Sequence, residues 1–389
     1  MKRILFVICI MAASANLPAP LFPIYQLHFY LNNFDLTLLF AIYTACMIPS
    51  LLISTSLVKR NGTKSVVCTG IVLAILSSLI FIFTKDAFML YLARAVEGIA
   101  LGNFMGTSNG LLIKNSPNMA KALALSGAMT LFGFGLGPFL SGLIAEYSPL
   151  IPYVLPYIVL FLLLLIATVL LLSVPNEKEP VNKKEKIRFS LGIPTNSKTL
   201  FLLFICPTVF IMLALNGVVI SLIPIFVHTV LKSSNLSYSG ILLLIFLGGG
   251  FTAQFIRVPR NNIRRIQIGM LLLIIGTWLV IQSGNKVSMM LLFLGMIILA
   301  IGNGLTFQSS IQLAGMLSTP EESSSVISTY YLAGYTGMAV PTIGIGILSV
   351  VLSLMWSLVI FGILITILGV VLIFLPRFIN KKHPIKILL

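Results

Sequence analysis

The chain has 389 residues, of which 58% are hydrophobic and only 9% charged, with a mean hydropathy of +1.08. A soluble core cannot absorb that much apolar surface, so the solvent must be lipid and no room is left for a soluble enzymatic domain. The formal charge of +16 would suit nucleic acid, but no aromatic-interleaved basic surface accompanies it, and nucleic-acid binding is rejected.

A helix that crosses a bilayer needs about 20 apolar residues. Twelve such stretches are read along the chain, at 4–30, 36–58, 65–84, 87–113, 122–146, 153–174, 198–227, 238–257, 266–283, 288–314, 324–349 and 352–375. Runs such as Phe161-Leu162-Leu163-Leu164-Leu165-Ile166 do not alternate, which predicts helices rather than barrel strands. Span 1 opens on Lys2-Arg3, an apolar run and Ala13-Ser14-Ala15, which imitates a secretory signal. It is expected to stay uncut, because span 7 is its counterpart in a repeat described below. Asp35 starts span 2, where a solvated helix start is the expected role and proton carriage a weaker one. Span 4 holds Arg94 and Glu97, one turn apart. Span 5 holds Gly133, Gly137, Pro138 and Gly142. Glycines four apart let helices approach closely in lipid, and a proline bends the span. Residues 175–197 are polar on every side and read as a tether. Cys9, Cys46, Cys68 and Cys206 all fall inside spans without metal-ligand spacing and are read as inert thiols.

Cations set the topology. With the amino terminus inside, 21 of the 25 Lys and Arg residues fall in cytoplasmic loops or tails. Lys85, Lys232 and Lys286 fall on the opposite side, and Arg94 lies within a span. This positive-inside bias predicts a multi-pass protein of the cell membrane with both termini in the cytoplasm.

An internal echo sets the architecture. Val58-Lys59-Arg60-Asn61 returns as Val258-Pro259-Arg260-Asn261, Gly102-Asn103 as Gly302-Asn303, Pro23-Ile24-Tyr25 as Pro224-Ile225-Phe226, and Asn16 as Asn216. Pro117 and Pro138 are 21 apart, as are Pro320 and Pro341. The order and near-constant offset predict an all-α membrane protein of twelve transmembrane helices in two pseudo-symmetric six-helix halves: residues 1–174, a cytoplasmic linker over 175–197, and residues 198–389 with a short tail. Duplicated membrane halves are an architecture of secondary transporters.

Several segments resemble the major facilitator superfamily. Arg60-Asn61-Gly62-Thr63-Lys64 looks like its signature turn after span 2, with Lys59 where an acid is usual and Thr55 where a Gly is usual. Arg94-Ala95-Val96-Glu97-Gly98 is similar to its span-4 motif. Gly133-Phe134-Gly135-Leu136-Gly137-Pro138-Phe139-Leu140-Ser141-Gly142 resembles the span-5 motif of its proton-coupled drug exporters, with Ala124 and Ser141 where Gly is usual. The resemblance implies alternating access around a central cavity lined by spans 1, 4, 7 and 10. The polar candidates on those spans are Asn16, Tyr25, Gln26, Asn103, Ser108, Asn109, Asn216, Asn303, Gln308 and Gln312. Eleven residues is about three turns, which puts Ser108 on the face of Glu97, and Gln308 and Gln312 share a face at four-residue spacing. Each amide can meet a polar solute or serve as interhelical glue. Asn103 and Asn303 follow matching glycines and are expected to face each other across the cavity. Tyr330, Tyr331 and Tyr335 of span 11 are read as packing aromatics and His228 as a surface group. The resemblance also implies a gate: Lys59, Arg60, Gly62 and Lys64 at the turn, Gly133, Gly137, Pro138 and Gly142 in span 5, and Glu321 and Glu322 before span 11. There the usual acid–base order is reversed, so Lys59 or Arg60 is expected to pair with Glu321 or Glu322. Ser318 or Thr319 is expected to cap span 11, with Pro320 in its first turn.

Nine acids occur in the chain, and only Glu97 is well inside a span. A charge at that depth costs about 2.5–3.5 kcal/mol or more. Two readings stand together: Glu97 takes up a proton while Arg94 tunes it, or the two form a permanent ion pair. The carboxyl half has no acid deep in any span, which concentrates coupling on Glu97 and leaves an anionic or zwitterionic substrate open. The expected function is proton-coupled export of a small organic molecule, a drug or metabolite, by a monomer. The expected partners are that substrate, protons and the bilayer, with the proton gradient as energy source and no cofactor or metal. The alternatives are an importer of the same fold and a non-transporting membrane sensor. No nucleophile with a base and no metal-binding set is visible, so no enzymatic activity is expected.

Overall fold

A computed structural model describes residues 1–148, 151–175, 181–183, 191–195, 197–250, 261–319 and 322–382. These residues are almost all helical. Ten helices are long and apolar enough to cross a membrane. The remaining two of the twelve expected spans are a shorter apolar helix, Leu236–Gly248, and Ala87–Met105, whose 19 residues include Arg94 and Glu97. The protein is an all-α membrane protein of the expected kind. The end of span 8, and the basic residues Arg257 and Arg260, lie outside the described residues, as do Glu321 and most of the linker.

Chain contacts divide the molecule into two units, Met1–Phe189 with Ser234–Gly248, and Ser190–Ser233 with Gly249–Leu389. Within the first, small residues set the helix spacing. Gly98, Gly102 and Gly106 of span 4 lie against Tyr43 O, Met47 O and the Ser54 side chain of span 2 (Asn33–Asn61), so closely that a methyl group would overlap each. Gly133 and Gly137 of span 5 (Met119–Tyr147) lie in the same way on Cys9 O and Ala13 O of span 1. Another side of span 5 meets Leu236–Gly248: Gly142 faces the Leu236 carbonyl, and Gly240 faces Pro138 O. Without a hydrophobic driving force between helices in lipid, such close backbone packing is what holds them together. In the second unit, Gly217 of span 7 meets Met338 O and Thr342 of span 11 (Ser323–Val351), and Gly337 meets Phe210. Gly269 of span 9 (Asn262–Asn285) and Gly302 of span 10 (Met289–Leu317) approach each other's backbones.

Four expected spans are not simple rods, one of them span 8, α-helical over Leu236–Leu243 and then a π turn over Leu244–Gly248. Span 1 is helical over Lys2–Asn16, tightens to a 3-10 turn over Ala19–Leu21 and resumes over Phe22–His28. Pro18, Pro20 and Pro23 have no N–H to continue the ladder. Span 7 opens with a π turn over Phe201–Ile205 just before Pro207, which cannot donate its own helical bond. Span 4 ends at Met105 and restarts as a separate short helix, Ser108–Lys114. The Thr107 hydroxyl donates to Asn103 O at 2.7 Å across that break.

Candidate functional site

The interior of the first unit is organised around Arg94. Asp86 starts its helix, the side chain accepting from Met89 N at 2.8 Å. Two turns on, Arg94 and Glu97 fall on one side of the helix, each 2% exposed. Arg94 Nη1 donates to Glu97 Oε2 at 2.6 Å and to Ala15 O at 3.1 Å, and Nε donates to Leu39 O at 3.3 Å. The guanidinium also lies over the Tyr43 ring, 4.5 Å from its centroid. Ala15 O is available because the first helix of span 1 ends at Asn16, which leaves its last carbonyls without helical donors. One side chain of span 4 therefore holds spans 1 and 2 as well as its own acid. Glu97 is the only acid buried among the described residues. Tyr25 and Tyr157 exchange a hydrogen bond of 2.8 Å nearby, and Phe81 stacks on Tyr157 with centroids 4.2 Å apart.

Asp35 acts as a helix start. It forms a capping box with Asn32, accepting from Asn32 N at 2.9 Å while its own N–H donates to Asn32 Oδ1 at 3.0 Å. Gln26 Nε2 donates to Asn33 Oδ1 at 2.8 Å, which joins spans 1 and 2. Asn16 is buried. The three-turn register that led to Ser108 on the face of Glu97 does not apply, because the helix stops at Met105 and Ser108 begins another. Asn109 Oδ1 accepts from Ser126 at 2.6 Å.

The side-chain oxygens of Asn103, Asn216 and Asn303 are buried without a hydrogen-bond partner. Buried polar groups are nearly always paired, so each orphan calls for a reason. Gln308 and Gln312 do not act as a pair. Gln308 Oε1 accepts from Arg265 Nη2 at 2.9 Å, and Gln312 is exposed. Further buried orphans are Thr208, Ser237, Thr306, Ser309 and Arg265 Nε, none of which sequence reading had singled out. The three-residue spacing of Asn303, Thr306 and Ser309 along span 10 was a visible signal.

At the expected gate, Gly62 has φ 84° and ψ 153°, a conformation that only glycine adopts easily, and it joins spans 2 and 3 in a sharp turn. Lys64 donates to Val174 O at 2.5 Å and Leu172 O at 3.2 Å, holding the end of span 6. Lys59 and Arg60 are exposed, and Lys59 O accepts from Asn182 N at 2.9 Å. Span 11 is helical from Ser323, and Thr319, one of the two expected caps, accepts at its start, Oγ1 from Glu322 N at 3.4 Å and O from Ser323 N at 2.9 Å; Pro320 lies outside the described residues. The N-cap residue of span 11 is Glu322, whose side chain accepts from Thr195 N at 3.5 Å instead of closing the helix. Glu146, near the end of span 5, accepts from Leu236 N at 2.8 Å at the start of Leu236–Gly248. Tyr330 shares a 2.8 Å hydrogen bond with Ser310, and Tyr331 stacks on Tyr335. Among the described residues no group of three or more His, Cys, Asp or Glu side chains could hold a metal ion.

The family model described as Major Facilitator Superfamily matches residues 4–342. The chain belongs to the Major Facilitator Superfamily. Solved structures of this transporter fold align over nearly the whole length. The peptide transporter POT in complex with sulfate gives a TM-score of 0.79 at 12% identity, covering 97% of this chain and 94% of that one. A bacterial homolog to the human lysosomal transporter Spinster, inward-facing and occupied, gives 0.74 at 14% identity, covering 96% and 95%. At those identities the likeness shows the fold alone. Among curated proteins, the quinolone resistance protein NorA of Staphylococcus aureus is 29% identical over 150 residues, 38% of this chain. The match spans 39% of the length of that relative. The family and the fold are those of multi-pass membrane transporters.

Proposed function

We propose that this transporter exports a small organic molecule in exchange for protons, by alternating access of its two halves, 1–174 and 198–389, joined by 175–197. It works as a monomer in the cell membrane with both termini in the cytoplasm. The observation that carries the proposal is Glu97, buried and held by Arg94 at 2.6 Å. Protonating Glu97 removes the charge that Arg94 Nη1 faces and leaves the guanidinium to the Ala15 and Leu39 carbonyls. The proton thereby changes how firmly span 4 holds spans 1 and 2, which links protonation to helix movement. The unpaired amide oxygens of Asn216 and Asn303, both in the second unit, are groups we assign to the polar part of the substrate. The similarity to a quinolone resistance protein favours export and makes quinolones the first compounds to test.

Inverted membrane vesicles energised with an inside-acid gradient should accumulate the substrate, and the accumulation should collapse with a protonophore. Accumulation confined to energised right-side-out vesicles would instead establish an importer.

A further inference from the structure

Two cations at helix ends of the first unit have carbonyl acceptors. Lys64 has two carbonyls of span 6, and Arg3 has the carbonyl and hydroxyl of Ser173. Deeper in, Arg94 has Glu97 and two carbonyls. Arg265, in the first turn of span 9, departs from this pattern. Among the described residues its hydrogen-bond acceptor is the neutral amide of Gln308, at 2.9 Å. Its Nε–H is buried with no partner, although the residue as a whole is partly exposed. Nε and Nη2 form one edge of the guanidinium, shaped to take the two oxygens of a carboxylate or phosphate together. Gln308 fills half of that edge with a single oxygen. Among the described residues no acid pairs with Arg265, and the Glu322 carboxylate accepts from Thr195 N at 3.5 Å.

We propose that Arg265 and Gln308, at the loop end of spans 9 and 10, form a recognition site for an oxyanion. A carboxylate or phosphate group reaches the partly exposed guanidinium and takes the N–H groups that Gln308 leaves unmet, while Gln308 keeps the arginine in place. The anion is the headgroup of an acidic phospholipid or a soluble ion, a transported anion included. Gln308→Glu supplies the missing oxygen from within the chain and should satisfy the edge without any ligand.

The full chain is placed in nanodiscs of phosphatidylcholine, with and without sodium phosphate against sodium chloride of equal ionic strength, and in nanodiscs containing one quarter phosphatidylglycerol. The melting temperature of wild type should rise by about 2 °C or more with phosphatidylglycerol, with phosphate, or with both. A response to phosphatidylglycerol alone identifies a lipid headgroup, and a response to phosphate identifies a soluble oxyanion. Gln308→Glu should melt higher than wild type in plain phosphatidylcholine and respond to neither. Arg265→Gln should also lose the response. If wild type responds to neither probe, or if Gln308→Glu responds as wild type does, the site does not exist.

Discussion

Spans 4 and 10 carry the same Gly-Asn pair two hundred residues apart, yet they have become different instruments. Span 4 contains a buried ion pair, anchors spans 1 and 2 through Arg94, and breaks after Met105. Span 10 runs unbroken for 29 residues, carries no charge and leaves the oxygens of Asn303, Thr306 and Ser309 unpaired in its interior. The glycines diverge as well: Gly102 lies against span 2, whereas Gly302 lies against span 9. Duplication preserved the sites of close packing and left the chemistry free to specialise, with charge on one side and uncharged polar groups on the other.

The sharpest way to break this contrast is to disarm span 4. Arg94→Met leaves Glu97 buried without its partner and should cost about 3–5 kcal/mol of stability, read as a large fall in melting temperature in detergent. Adding Glu97→Gln to Arg94→Met should recover most of that stability while transport stays uncoupled. Full stability in the single mutant would show that the pair carries little weight in the fold.

Packing should respond alike in both spans. Gly102→Val and Gly302→Val each force a side chain into a backbone contact and should cost about 1–3 kcal/mol, measured by thermal unfolding. A tolerated valine at either site would mean that the helices there are not in the close contact described.

Hydroxyls should then separate the two spans again, with smaller effects. Thr107→Val on span 4 deletes the hydrogen bond to Asn103 O and should lose about 1 kcal/mol. Thr306→Val on span 10 removes an orphaned hydroxyl and should be neutral or stabilising in the same assay, while lowering transport if the stripe meets the solute. Equal losses at both positions would erase the distinction between a paired and an unpaired set.

Much of this was legible in the sequence because it is periodic or compositional. Apolar runs marked the spans. Pro138 and Pro341, matched in the repeat, both lie inside 29-residue helices, Met119–Tyr147 and Ser323–Val351. Three-residue spacing brought Arg94 and Glu97 together as expected. The rest depended on contacts between helices, which no local pattern records. Ala15 O serves Arg94 only because span 1 stops where it does. The break after Met105 falls at Gly106-Thr107-Ser108-Asn109-Gly110, a small polar stretch inside the expected span, and the register that placed Ser108 on the face of Glu97 assumed one unbroken helix through it. Gln308 looked like a partner for Gln312 by spacing, but its acceptor oxygen is turned to Arg265 on a neighbouring helix.

The central claim is that Glu97 carries the coupling proton, and it is tested most directly by following protons themselves. Purified wild type and Glu97→Gln are reconstituted with a fluorescent pH probe trapped in the vesicle lumen, and a transported compound is added on the outside at zero membrane potential. Wild type should move protons against the compound in a fixed ratio, and Glu97→Gln, folded and inserted at the same level, should give no substrate-dependent proton signal. A mutant that exchanges protons for substrate as wild type does would contradict the account and leave Arg94 and Glu97 as a structural pair.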